Sequence, residues 1–301
     1  MVELIVYGII LGSIIALGAI GLSLVYGILR FANFAHGDLM TVGAYLVLFL
    51  VSWALPFLGL SGSPLSPLSF GWPLLVGLVV AMPLTGLVAL GIDRALYRPM
   101  RLRRVSPIIL AMTSLAMALI LRSLIYIAWG PQFLFYTTAL RPAWRLPLGV
   151  RIKPDQVFIL ALVAILATLL YLFLQRTRMG KAMRATADNP QLALVSGIDT
   201  GRVIDWTWML GAGLAAAAGV LYGIEAQLRP EMGWNFLLPL FAAVILGGIG
   251  NPFGALVGGL ILGIAQQVST AYLLPTYKPA VAFLLMIVIL LVRPRGIFGA
   301  T

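Results

Sequence analysis

The polar residues able to do chemistry are few, and they cluster. Asn33, His36 and Asp38 stand within Arg30-Phe31-Ala32-Asn33-Phe34-Ala35-His36-Gly37-Asp38, between two long apolar runs. An amide, an imidazole and a carboxylate at that spacing put several hydrogen-bonding groups near one membrane face, and Gly37 permits a tight turn there. Two readings stand: an ordinary turn with Asp38 capping the helix that follows, or a gate on a solute pathway. Arg122 lies inside another apolar run, seven residues before Trp129. A guanidinium there either snorkels to the interface or faces a polar interior, where it could hold a solute carboxylate.

The longest polar interruption is residues 176–202, RTRMGKAMRATADNPQLALVSGIDTGR. It carries Arg176, Arg178, Lys181, Arg184 and Arg202, then Asp188-Asn189-Pro190 and Gly197. The pattern predicts a short helix from Gly180 to Ala187, broken at Asn189-Pro190. A second runs from Gln191 to Ser196 and stops at Gly197. Two short helices outside a membrane bundle make a docking surface. The alternative is a solvated loop whose charges only set topology.

Other chemistries are excluded by what is missing. Nine acidic residues, most at the ends of apolar runs, and one histidine form no acid–base pair and no nucleophile with its base, so no catalytic residue is expected. The absence of cysteine rules out disulfides, thiol catalysis and Cys-ligated metal, and a lone histidine makes no histidine-rich metal site. There is no G-x-x-x-x-G-K-[ST] and no soluble segment long enough to hold a nucleotide. No cofactor is therefore expected, and any ATP-driven step needs its ATPase on another chain. A secondary transporter would usually place ionisable groups inside its spans to bind Na⁺ or H⁺. Arg122 is almost the sole such group, so that class stays as the alternative.

The elements that position these residues follow from composition. The chain has 301 residues, 61% of them apolar and only 10% charged, whereas a soluble domain carries roughly 25% charged residues. Long unbroken apolar runs without ten-residue alternation mean helices rather than a barrel. The expected fold is an all-α, polytopic transmembrane bundle of eight or nine spans, one transmembrane domain over residues 1–301. The opening MVELIVYGII has no basic leader and reads as a retained first span. The net charge of +11 fits loops facing anionic lipid and a protein partner. No aromatic-interleaved basic surface supports nucleic acid.

Spans are read near 4–28, 36–55, 73–93, 107–129, 156–175, 204–224, 235–250, 252–271 and 279–292. Gly8 and Gly12 in the first, and Gly211, Gly213, Gly219 and Gly223 in the sixth, are close-packing positions. The third span is read as ending at Asp93, before a cluster of five arginines from Arg94 to Arg104 that anchors the cytoplasmic face. Residues 130–155, with Pro131, Arg141, Pro142, Arg145, Pro147 and Pro154, form an outer loop. Nine crossings put the N-terminus outside and the C-terminus in the cytoplasm. Thirteen basic residues then lie inside and six outside, with Arg122 completing the twenty. The run 235–271 is interrupted at Gly247-Gly248-Ile249-Gly250-Asn251-Pro252. It reads either as two spans joined by an inner turn, or as one span plus a re-entrant segment whose Gly247, Gly248 and Gly250 line a pathway.

Three stretches resemble one family. Arg178, Gly180, Lys181, Ala182, Arg184, Ala185, Asn189, Pro190, Ala193, Gly197 and Ile198 supply a pattern similar to the cytoplasmic coupling loop of branched-chain amino acid ABC transporter permeases. Asn33 to Asp38 resembles that family's N-F-A-H-G-[ED]. Ala243 with Leu246-Gly247-Gly248-Ile249-Gly250 resembles its A-x-x-L-G-G-I-G, and Arg293 to Gly299 resembles its R-P-x-G-[LI]-F-G ending. The resemblance covers essentially the whole chain. It implies a permease of an ABC importer in a bacterial or archaeal plasma membrane, coupled through Arg178, Gly180, Lys181, Arg184, Ala185, Asn189, Pro190, Ala193 and Gly197. Asn33, His36, Gly37, Asp38, Arg122, Gly247, Gly248 and Gly250 are then the gate and pathway residues. The partners it implies are two ATP-binding cassette subunits, a second homologous permease and an extracytoplasmic substrate-binding protein. The cargo is leucine, isoleucine and valine or related amino acids. Asp38 stands where many relatives have Glu, and Asp188 and Gln191 stand where Glu is common, which leaves the cargo less certain than the family.

Overall fold

The computed structural model describes residues 1–60, 62–137, 142–145, 149–293 and 295–299. Arg141, Pro147 and Pro294 of the sequence reading lie outside these residues. The helices, in order, are α1 (Val2–Leu29), α2 (Ala35–Phe57), α3 (Trp72–Leu102), α4 (Pro107–Trp129) and α5 (Pro154–Arg176). Two short helices follow, α6 (Arg178–Asp188) and α7 (Pro190–Val195). Then come α8 (Thr200–Glu225), α9 (Met232–Gly247), α10 (Pro252–Ala271) and α11 (Pro275–Val292). Among the described residues, eight of these are long and apolar enough to cross a membrane. The only sheet described is a hairpin of β1 (Trp144–Arg145) and β2 (Arg151–Ile152), which pair antiparallel. The fold is a polytopic all-α membrane bundle.

α1 and α8 form its centre. Every residue from Gly12 to Val25 and from Gly211 to Leu221 is buried, whereas α11 buries only Ala282 along its helix. Lipid tails are as apolar as leucine, so helices in a membrane are held by close backbone packing rather than by the hydrophobic effect. α1 does this with Gly8, Gly12 and Ala16 against Gly263 and Gly259 of α10. A Cβ on Gly12 would stand 2.9 Å from the Leu260 Cα. The same device joins α1 to α8 at Gly21 and Gly211, and α2 to α8 at Met40 and Gly219.

The run 235–271 is two helices. α9 is 16 residues long, about 24 Å at 1.5 Å per residue against a hydrocarbon core of about 30 Å. Its shortness is tolerated because it is packed against α1, α2 and α10. α10 runs antiparallel to α1, with Gly263 beside Gly8 and Gly250 beside Gly27. Among the described residues α9 is thus a short apolar helix beside the eight long ones, and Val2 and the tail at Phe298 fall at opposite ends of the bundle. One end carries Arg30, α6, α7 and the C-terminal tail; for brevity it is the basic end.

The third helix departs from expectation. It does not stop at Asp93 but runs on to Leu102 through a wider π-helical stretch, Asp93–Tyr97. Asp93 is not a terminal charge facing water. It is 1% exposed and takes two bonds from Arg101, at 2.6 and 3.0 Å, while Arg94 reaches Asp205 of α8 at 2.8 Å. With their charges paired, these residues continue the helix beyond the apolar run.

Candidate functional site

The stretch Asn33 to Asp38 lies in the bundle interior, not near a membrane face. His36 Nε2 donates to the Gly18 carbonyl at 3.0 Å. Gly18 is eleven residues short of the end of α1, about 16 Å along the axis. After Leu29 the chain therefore turns back, and residues 30–34 re-enter the bundle without helical structure before α2 begins. Such backbone is tolerated at depth only if its polar groups are satisfied by protein. Ser114 of α4 does this: its hydroxyl accepts from Phe34 N–H at 2.9 Å, and its one proton is shared between the Ala111 carbonyl at 2.7 Å and the Ala32 carbonyl at 3.3 Å. Asn33 Oδ1 accepts from Ala35 N–H at 3.1 Å, so Asn33, not Asp38, serves the start of α2. Gly37 makes no turn. It lies within the helix, and its missing Cβ lets the backbone of Gly233 in α9 cross closely, where Thr41 Oγ1 accepts from Gly233 N–H at 3.0 Å.

Asp38 is paired with Arg122. The Arg122 Nε and Nη2 groups donate to the two Asp38 oxygens at 3.0 and 3.1 Å. Asp38 is fully buried and the Arg122 side chain is 14% exposed. The guanidinium lies 4.7 Å from the ring centre of Trp234 on α9. Arg122 thus turns inward and does not snorkel. It sits fifteen residues into α4, about 22 Å from the basic end. The Asn33 Nδ2 and His36 Nδ1 atoms are buried without a partner among the described residues.

At the basic end, α6 and α7 match the helix-break-helix pattern within two residues at each boundary. Thr177 caps α6 by accepting from Gly180 N–H at 2.9 Å. Gly180 packs on the α5 backbone, where a Cβ would meet Phe173 and Leu174. Arg184 reaches back to the Leu174 carbonyl at 2.6 Å and Gln175 Oε1 at 2.7 Å. Asn189 caps α7 by accepting from Gln191 and Leu192 N–H. Ala193 is buried, and Gly197 ends α7 in the left-handed region at φ 83°. Ala185 is half-buried, and Arg178 and Lys181 are exposed. On α7, Leu192, Leu194 and Val195 are 59–81% exposed. Arg30 ties this unit to α1: it donates to the Ala187 and Asp188 carbonyls at 3.1 and 3.3 Å.

The break after α9 is a turn at the basic end, closed by the C-terminal tail. Ile297 and Phe298 N–H donate to the Leu246 and Gly247 carbonyls at 2.9 and 3.1 Å. Gly248 and Gly250 adopt φ of 105° and 82°, which other residues rarely reach. Asn251 caps α10 through Phe253 and Gly254 N–H. Gly247 packs on Gly254, and Gly248 on the tail at Gly299. Only Gly250 of the three opens on a cavity of about 700 Å³, which is also lined by Ser23, Arg30, Arg184 and Asp188. The expected pathway residues therefore form two groups, one inside the bundle around Arg122 and one at the basic end.

The family described as branched-chain amino acid transport system permease component matches residues 4–290. The chain belongs to it. It is 36% identical over 300 residues to the high-affinity branched-chain amino acid transport system permease protein LivH of Escherichia coli (strain K12), covering 97% of this chain and 93% of that one. It is 33% identical over 307 residues to BraD of Pseudomonas aeruginosa, covering 98% and 94%. The probable branched-chain amino acid transport permease protein LivH of Methanocaldococcus jannaschii is 32% identical over 303 residues, covering 97% and 90%.

Several residues of this permease's interior site escaped the sequence reading. Ser114 was legible in principle: Ser114, Ala118 and Arg122 fall four residues apart, a small and polar stripe down one face of an apolar helix. Trp234 and Thr41 carried no such signal. The role of Thr41 comes from a crossing of α2 and α9, whose contact residues lie nearly 200 positions apart, and that of Trp234 from its approach to Arg122 on α4.

Proposed function

We propose that this permease pairs with a second, homologous permease to enclose a path for branched-chain or related amino acids across a bacterial or archaeal plasma membrane. ATP hydrolysis on two ATP-binding cassette subunits drives the cycle, and an extracytoplasmic binding protein delivers the cargo. The basic end faces the cytoplasm and the N-terminus lies outside, in keeping with the excess of Arg and Lys at that end. The names of the relatives support the cargo class.

The observation that carries the reading is the α6–α7 unit. It is rigidly held, by Arg184 to α5 and by Arg30 to α1, yet it turns Leu192, Leu194 and Val195 outward. A firmly anchored helix pair with an apolar outer face suits a partner that must push on the bundle. The residues around it, Arg178, Gly180, Lys181, Ala185, Asn189, Pro190, Ala193 and Gly197, shape that face. Asn33, His36, Gly37, Asp38 and Arg122 form the gate at the start of α2, and Gly247, Gly248 and Gly250 shape the inner mouth. Purification of the tagged chain in mild detergent should recover two ATPase subunits and a second permease. Recovery of the chain alone, in a detergent that preserves comparable complexes, would refute the assembly.

A further inference from the structure

We propose that Arg122 receives the carboxylate of a zwitterionic amino acid beside Trp234 of α9, a site that rests on the permease reading above. A guanidinium has five N–H donors and two edges that can each grip a carboxylate. Asp38 takes one edge through Nε and Nη2. The remaining three N–H groups, on Nη1 and Nη2, meet no acceptor among the described residues. They form a second, unoccupied fork on a side chain that is partly exposed.

The surroundings fit the rest of such a solute. One face of the guanidinium is covered by Trp234, which is itself 40% exposed and offers an apolar wall. One turn toward the N-terminal end of the bundle, Glu231 lies exposed and accepts from the Tyr126 hydroxyl at 2.5 Å through Oε1. Its second oxygen has no partner among the described residues, and it can take an ammonium group. A cation on α4 and an anion at the residue before α9, linked to α4 through Tyr126, match the charges of an α-amino acid. An ionisable side chain with free donors at this depth would be costly against lipid, so the exposed edge of Arg122 must face water or protein. Asp38 is then a positioning residue: it fixes one edge of the fork and so aims the other.

The test uses the assembled transporter in proteoliposomes. Arg122→Lys keeps the charge and the pairing with Asp38 but lacks the second fork. It should raise KM for leucine about 10- to 100-fold, the worth of a charged hydrogen bond, a larger change than any it makes in kcat. The exchanged pair Asp38→Arg with Arg122→Asp should assemble and hydrolyse ATP but not transport, because the fork has moved away from Trp234. An unchanged KM in the lysine variant, or uptake restored by the exchange, would overturn the proposal and leave the pair a structural clip. A second measurement keeps Arg122 intact. The chain has no cysteine, so Asn235→Cys beside Trp234, with cysteine-free partners, gives a single thiol. Leucine should slow its labelling and 3-methylbutylamine, which lacks the carboxylate, should not. Equal protection by both overturns the proposal. If the unmodified complex hydrolyses ATP and takes up no amino acid, the permease reading itself fails.

Discussion

Replacing Ser114 by alanine tests the interior placement of the Asn33–Asp38 stretch. The hydroxyl serves Phe34 N–H at 2.9 Å and the Ala32 carbonyl at 3.3 Å, and also its own helix at Ala111 at 2.7 Å. Alanine leaves the Phe34 N–H without a partner at a depth where water is scarce. An orphaned buried donor costs about 1–3 kcal/mol, and hydrogen bonds within helical membrane proteins average about 0.6 and reach about 1.7 kcal/mol. The expected loss is therefore about 1–2 kcal/mol, a factor of roughly 5–30 in the population of the closed link. It should appear as a lower melting temperature of the purified complex and as reduced uptake at equal membrane abundance. Thr113→Ala is the control: that hydroxyl is on the same helix, one residue away, and bonds only its own turn at Ile109. Should Ser114→Ala and Thr113→Ala behave alike in both assays, the link does not depend on α4 and the reasoning fails.

Further changes probe the other contacts. Gly180→Pro removes the N–H that Thr177 caps, worth about 1 kcal/mol, and crowds the Leu174 backbone; uptake should fall while the chain still inserts and ATP hydrolysis continues. Arg184→Glu should uncouple in the same way, and normal uptake in both variants would refute the coupling role. Leu192→Asp places a charge on the outer face of α7 and should reduce recovery of the ATPase subunits, with the chain's own melting temperature unchanged. Asp93→Gly or Asp93→Asn leaves Arg101 without its buried counter-ion, at a cost of about 3–5 kcal/mol; membrane abundance should drop, and Asp93→Asn with Arg101→Gln should restore part of it.

What could be read from the sequence was local. The α6–α7 boundaries follow from Asn189-Pro190 and Gly197, whose effects act within a turn or two. The close crossings of α1 followed from Gly8 and Gly12 for the same reason. What could not be read depended on distant partners. Asp93 looked like the end of a span because its counter-ion, Arg101, lies two turns further on. Asp38 looked like a cap because nothing near it in sequence announces Arg122, 84 positions away. The depth of residues 30–34 was hidden because a short polar link between apolar runs ordinarily lies at a surface. Ser114, from another helix, supplies the partner that the Phe34 N–H needs at that depth.

The two groups of expected pathway residues are joined by one side chain and one short link. Arg30 ends α1 in the left-handed region, at φ 54°, and its guanidinium holds the last carbonyls of α6. A cation at the negative end of a helix is favourable, so this contact is more than an incidental touch. From Arg30 the chain runs through non-helical backbone to Ala35, where α2 begins, and Asp38 follows within the first turn. Helices transmit displacement as rigid bodies, and the change of backbone angles is absorbed by the few non-helical residues between them. Residues 30–34 are such a segment. On the proposed reading, a push on α6 reaches Arg30 directly and reaches Asp38 through the link, so the Asp38–Arg122 pair and the ATPase-facing surface respond to the same motion. The Ser114 bonds set how firmly that link holds when nothing is pushing.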